Sequence, residues 1–294
     1  MIDLHTHSTS SDGTYSPSDL VKLAASKGLE VMALTDHDTV SGLEEAQREA
    51  VDQGITFVPG IEITIGWPTG EFHLLGLGLT HKSPELGKIT DYLHEERINR
   101  NKKMISLLKG RGVDLSYDEL TERFGTGNIG RPHFAQIMTE KGYVRQRQEA
   151  FDRYFAVGRP CYIEREGAEL EAAVEAIKSS GGVPVQAHPL SMYVSWGKMA
   201  ETMESIKEAG VMGLEAWHPG VRISEAERLV ELAGNLGLVV TGGSDFHGEK
   251  VRADRFLGFA AGKLKISDSL WYDGLKPLLE KVHGGESLEF RENG

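Results

Sequence analysis

Five short apolar runs in this chain each end in side chains able to ligate a metal: Asp3-Leu4-His5-Thr6-His7, Thr35-Asp36-His37-Asp38, Gly60-Ile61-Glu62, Ala187-His188-Pro189 and Gly243-Ser244-Asp245-Phe246-His247. Each run reads as a β-strand, so the same placement recurs at the ends of many strands. A fold that repeats strand, ligand and connection brings those ends to one rim, as a β/α barrel does. The pattern therefore constrains fold and chemistry together.

Candidate strands cover residues 2–4, 31–34, 56–58, 61–65, 72–79, 183–186, 213–216 and 238–241. Helical patterns with start signals lie between many of them. Ser16-Pro17-Ser18-Asp19 opens one helix and Gly28 closes it, while Ser41-Gly42-Leu43-Glu44 and Ser224-Glu225-Ala226-Glu227 have capping-box spacing. Alternating strands and helices predict parallel strands with right-handed crossovers. Residues 84–165 break this rhythm. Ser83-Pro84-Glu85 starts a long charged helix running to Gly110, Ser116 starts a shorter one, and Arg131-Pro132 another. The expected organisation is a barrel built from residues 1–83 and 166–294, with a helical insertion at 84–165 acting as a lid or substrate subdomain.

Composition narrows the function. With 294 residues the chain can bury the core of one barrel-sized domain. A net charge of -12 excludes a general binder of nucleic acid or anionic membrane, and leaves room for about three divalent ions. Cys161 is the single cysteine, which excludes an intrachain disulfide framework. The chain opens directly on a ligand-bearing strand and its apolar runs are short. No signal peptide, no membrane span and a cytoplasmic location are therefore expected. The oligomeric state is not encoded legibly.

His5 and His7 are two apart, so on a strand both point to one side and can grip one cation. Company strengthens the reading: Asp12 in a Ser-Asp-Gly turn, His37 between two aspartates, Glu62, His73, His188, and Asp245 with His247. Imidazole and carboxylate without thiolate suit manganese, iron(II) or zinc. The two oxygens of Glu62 can bridge a pair of ions, and such a pair holds water as hydroxide, the expected nucleophile. No Ser-His-Asp set or Gly-x-Ser-x-Gly turn competes with it. Asp36 and Asp38 read as partners orienting His37, or as turn and cap residues.

These motifs, with Ser11-Asp12-Gly13, Pro59-Gly60-Ile61-Glu62 and His73-Leu74-Leu75-Gly76, resemble the polymerase and histidinol phosphatase (PHP) family over residues 3–247. The resemblance implies an α/β fold, a distorted seven-stranded TIM-like barrel with a trinuclear metal site. It implies His5, His7, Glu62 and Asp245 around a first ion, Glu62, His73 and His188 around a second, and Asp12, His37 and His247 around a third.

Phosphate-binding candidates lie in the insertion. Gly127-Asn128-Ile129-Gly130-Arg131-Pro132-His133 sets Arg131 and His133 where a helix begins, and free amides with a guanidinium fork suit phosphate. The bland alternative is a loop cap beside a surface arginine. The segment is similar to the element through which PHP nucleotidases contact phosphate, and Gly158-Arg159-Pro160 resembles a second element in which lysine is commoner. His218, after another strand, is a candidate to touch phosphate or protonate the leaving oxygen, with a structural hydrogen bond as the alternative. Arg97 and Arg100 read as a charged outer helix face, Trp67 as a packed aromatic, and His81, His94 and His283 as solvated.

The expectation is a phosphomonoesterase acting on a small phosphorylated substrate, with long nucleic acid disfavoured by charge. The residues proposed for the chemistry are Asp245, His218 and Arg131. Resemblance is strongest to the subgroup that removes the 3'-phosphate of 3',5'-nucleoside bisphosphates. Alternatives are a 5'→3' exonuclease on short RNA, a histidinol phosphatase, and a non-enzymatic accessory PHP module.

Overall fold

The computed structural model describes residues 1–125, 129–285 and 288–292, so Gly127 and Asn128 of the arginine motif lie outside the described residues. A seven-stranded sheet follows chain order: β1 (Ile2–Asp3), β2 (Val31–Leu34), β3 (Thr56–Ile65), β4 (Phe72–Leu77), β5 (Val183–Gln186), β6 (Gly213–Trp217) and β7 (Val239–Gly242). Its two outer strands meet again. Leu4 N–H donates to the Gly242 carbonyl at 3.3 Å, and Thr6 pairs with Phe246 in parallel. The sheet thus nearly closes into a barrel, as the strand-end pattern predicts. Val31, Met32, Ala33 and Leu34 are all buried, as expected of a strand covered on both faces.

The expectation of parallel strands does not extend to β4, which runs antiparallel to both β3 and β5. The connection at residues 66–71 explains this, because a parallel crossover needs about a dozen residues and a short loop permits only a hairpin. The reversal has a functional consequence. His73 stands near the start of β4, paired with Thr64 near the end of β3, and so reaches the rim where the other strands finish. The apolar runs at 56–58 and 61–65 form one continuous strand, with Pro59 and Gly60 inside it.

Ten α-helices accompany the strands: α1 (Pro17–Ser26), α2 (Leu43–Gln53), α3 (Pro84–Lys109), α4 (Tyr117–Phe124), α5 (Arg131–Glu140), α6 (Arg147–Ala150), α7 (Leu170–Ser179), α8 (Trp196–Glu208), α9 (Ile223–Leu236) and α10 (Lys276–His283) among the described residues. Ser16 Oγ accepts from Asp19 N–H at 3.2 Å and caps α1. Two expected caps shift. Helix α2 begins at Leu43 behind Gly42, with no side-chain cap. At α9, Glu225 rather than Glu227 reaches back, accepting from Arg222 N–H at 2.8 Å.

The chain divides into two compact units, Met1–Thr90 with Gly167–Gly294, and Asp91–Glu166. The first is cored by barrel residues such as Ile2, Val31, Val58, Leu75, Val185 and Trp271. The second has its own core, including Met104, Leu120, Phe134, Met138, Phe155 and Cys161. Arg100 departs from the expected outer face, for it is buried. His283 is likewise tied down, its Nε2 lying 2.8 Å from the Gly181 carbonyl. Among the described residues no helix is long and apolar enough to cross a membrane.

Candidate metal centre

All nine residues proposed as ligands stand on the barrel unit, in four overlapping groups: His7, Asp12, His37 and His247; His5, His7 and Asp245; His5, Glu62 and His188; His37, Glu62 and His73. Within each group the candidate ligand atoms lie within 4.8 Å of one another. His5 and His7 follow β1, His37 follows β2, Glu62 lies in β3, His188 follows β5, and Asp245 and His247 follow β7.

Glu62 is the hub. Its Oε1 lies 2.9 Å from His73 Nδ1 and 2.9 Å from His188 Nε2, and its Oε2 lies 2.8 Å from His37 Nδ1 and 3.3 Å from His7 Nε2. One carboxylate thereby touches members of all four groups, as a bridging ligand would. His5 Nε2 and His7 Nε2 face each other at 3.1 Å. His7 Nδ1 is buried without a hydrogen-bond partner among the described residues, and Asp12 Oδ1 faces His247 Nε2 at 3.2 Å. Burying so many nitrogen and oxygen donors without full pairing is costly unless a cation satisfies them. The set fits divalent ions, and its lack of sulfur fits manganese, iron(II) or zinc.

Electrostatics agree. Burial alone would raise the Glu62 carboxyl, yet His37, His73 and His5 hold it well below its usual range. Burial opposes ionisation of Asp245 too, but His247, His218 and His7 hold it well below its ordinary value, and Asp12 responds similarly to His247 and His37. All three are carboxylates at neutral pH, ready to ligate. Burial and the adjacent His247 push His7 down to about 3. At His247 burial is outweighed by Asp12 and Asp245, which raise it to about 9.

The backbone is bent to serve this rim. Asp38, His188 and Asp245 have φ of 55°, 26° and 52°, in the left-handed region that non-glycine residues seldom occupy. A Cβ on Gly243 would collide with His5 Cβ, so glycine there lets the end of β7 close against β1.

A ring of buried acids supports the candidate ligands, and the sequence assigns no role to two of its members, Glu215 and Asp3. Glu215 in β6 sets its Oε1 2.9 Å from His5 Nδ1, and its Oε2 accepts from His188 N–H at 2.8 Å. Asp3 accepts from the backbone N–H of Ser244 and of Gly258 at 2.9 and 2.8 Å, and from Ser244 Oγ at 2.6 Å. Burial pushes the Asp3 carboxyl up to about 6. Asp36 accepts from Ser8 N–H, Ser8 Oγ and Ser11 Oγ, which shapes the loop carrying Asp12. Asp38 accepts from Thr64 N–H at 2.8 Å. These two aspartates act on backbone and hydroxyl groups beside the site. The signal available for Glu215 was an acid at mid-strand, where a solvated residue has no place.

His218 follows β6, and its Nε2 lies 3.3 Å from Asp245 Oδ2. Arg255, absent from the sequence reading, is buried against it, Nη1 to Nε2 at 3.0 Å. In the second unit, Arg131 opens α5, with Nη1 donating to the Phe155 carbonyl at 3.4 Å and the guanidinium 5.8 Å from the Tyr162 ring centroid. His133 Nδ1 accepts from Gly130 N–H at 3.0 Å, capping the same helix, and its ring packs edge-on against Phe124. Arg159 is exposed, in a turn whose carbonyl accepts from Tyr162 N–H. Trp67 packs edge-on against Phe72, the ordinary role expected of it.

Comparison with known proteins follows the same line. The family model described as PHP domain matches residues 3–164. The chain is 32% identical over 283 residues to a 5'-3' exoribonuclease of Haemophilus influenzae, covering 95% of this chain and 98% of that one. It is 32% identical over 247 residues to a 3',5'-nucleoside bisphosphate phosphatase of Chromobacterium violaceum, covering 84% and 87%. An amidohydrolase structure from Chromobacterium violaceum, with bound sulfate and no metal, superposes with a TM-score of 0.82 at 29% identity over 96% of both chains. The barrel, its ring of imidazoles and carboxylates, and this similarity agree: the chain belongs to the PHP family of metal-dependent phosphoesterases.

Proposed function

We propose that the protein hydrolyses a phosphomonoester of a small nucleotide, with 3',5'-nucleoside bisphosphate as the preferred class and nucleoside monophosphate and phosphate as products. The observation that carries this reading is the hub position of Glu62 among imidazoles of all four ligand groups. Divalent ions, one held by His5, His7, Glu62 and Asp245, a second by Glu62, His73 and His188 and a third by Asp12, His37 and His247, would supply Lewis acidity toward a phosphoryl oxygen and toward water. The residues do the rest. Asp245 and Glu62 stay ionised and anchor the cations. His218 presents a nitrogen beside Asp245, where it can meet a phosphoryl group held at the ions.

Two phosphates on one substrate need two anion-binding places. We assign the second to Arg131, supported by His133 and Arg159, because Arg131 combines a guanidinium fork with a helix start. The similarity to the Chromobacterium violaceum phosphatase supports this substrate class. A second reading, removal of nucleotides from the 5' end of short RNA, is supported by the nearly full-length similarity to the Haemophilus influenzae exoribonuclease.

The test is a comparison under identical conditions of adenosine 3',5'-bisphosphate, 5'-phosphorylated dinucleotides and an aryl phosphate, with metal-loaded protein. A higher kcat/KM on the bisphosphate supports the first reading. A higher value on dinucleotides replaces it with the second. Turnover of the aryl phosphate alone would sink both.

A further inference from the structure

His218 and Arg255 present a donor arrangement that neither residue explains alone. Gly220 N–H donates to His218 Nδ1 at 3.0 Å. A backbone amide can only donate, so Nδ1 accepts and the ring proton sits on Nε2. Gly220 is needed for this approach, since a Cβ there would lie 2.8 Å from Nδ1. Arg255 Nη1 nevertheless stands 3.0 Å from that same Nε2, and a guanidinium has no lone pair to accept with. Two donors therefore face one another.

Both are buried, Arg255 at 5% exposure and His218 at 5%. The acceptor they share is Asp245 Oδ2, at 3.3 Å from His218 Nε2 and 4.0 Å from Arg255 Nη2, both long for a charged pair. Asp245 has other work as well, because its Oδ1 turns toward His5 and His7 at 3.6 and 3.4 Å. Arg255 Nε lacks a hydrogen-bond partner among the described residues, and its ion pair is a long one, 3.7 Å to Oδ2 of the exposed Asp254. A buried guanidinium set against a second donor, beside the metal ligands, is arranged for an anion that approaches them both.

We propose that Arg255 and His218 Nε2–H form an oxyanion clamp on the barrel itself, binding a non-bridging oxygen of the phosphoryl group at the metal centre. The inference rests on the phosphoesterase reading and refines it. The barrel clamp holds the phosphoryl group that reacts.

The probe is inorganic phosphate, titrated calorimetrically into manganese-loaded wild type, Arg255→Met and Arg255→Lys, with metal analysis of each sample. The expected result is full metal occupancy in every protein, with phosphate affinity falling about tenfold or more in Arg255→Met and by less in Arg255→Lys. Unchanged affinity in a metal-replete Arg255→Met overturns the clamp. So does metal loss in Arg255→Met, which would make the arginine a support for Asp245. Should Arg255→Met fail to fold, Arg255→Lys decides alone: it keeps the charge but not the fork, and unaltered affinity refutes the assignment. Wild type that neither binds phosphate nor hydrolyses any phosphate ester fails the parent reading as well. Active wild type beside an unaffected variant fails only the clamp.

Discussion

Glu215 Oε1 lies 2.9 Å from His5 Nδ1, while its other oxygen accepts the backbone N–H of His188. One side chain on β6 therefore orients two candidate ligands that follow two other strands. A carboxylate on Nδ1 keeps the proton there and turns the Nε2 lone pair of His5 toward the centre. Glu215→Gln retains the shape but loses the charge, and metal affinity should drop about 10- to 100-fold. Titration of metal-free protein with manganese, followed calorimetrically, checks this. Unchanged affinity would reduce Glu215 to a backbone tie.

Asp36 makes a related prediction on stability. It accepts from Ser8 N–H, Ser8 Oγ and Ser11 Oγ at 2.8, 2.6 and 2.5 Å, all buried. Asp36→Ala leaves three donors unpaired, and should destabilise the fold by about 2–4 kcal/mol. Because the same loop carries Asp12, the variant should also lose the ion assigned to Asp12, His37 and His247 before the others. Urea unfolding of metal-free protein and metal stoichiometry give the two readouts.

The sequence exposed the rim imidazoles and carboxylates because few residue types can ligate metals, and their position after apolar runs is a local pattern. Supporting residues were harder to see for the opposite reason. Glu215 meets His5 across 210 positions and Arg255 meets His218 across 37, with no periodic signal for either. The reversal of β4 was hidden because an apolar run reads alike in both directions. Only the short connection at 66–71 marks it, and that connection outweighs the strand-helix rhythm. The loss of the expected caps at Ser41 and Ser224 has a similar root, since capping spacing recurs by chance and the chain path selects among the candidates.

Metal binding should be coupled to protons through His247. In the metal-free protein Asp12 and Asp245 raise this imidazole to about 9, so at pH 7.5 it carries a proton that ligation must expel. Manganese binding should therefore release protons at pH 7.5, and release fewer as pH rises through 9. Affinity should strengthen over the same interval, since the raised pKa protects the protonated, non-ligating form below it. Calorimetry in two buffers of different ionisation enthalpy measures the release. In His247→Asn that share of the proton release should disappear.

The last prediction separates metal holding from anion holding. Asp245 and His188 reach the cluster around His5 and Glu62, so Asp245→Asn and His188→Asn should each lower metal content and cut kcat by about 10³-fold or more. Arg131 stands on the second unit at the start of α5 and belongs to none of the four ligand groups. Arg131→Ala should keep full metal occupancy while raising KM for the bisphosphate, with a smaller effect on an aryl phosphate that has only one phosphoryl group. The contrast between substrates is the informative part. If Arg131→Ala impairs both equally, the arginine serves the reacting phosphoryl group, and the assignment of the second phosphate to the insertion is wrong.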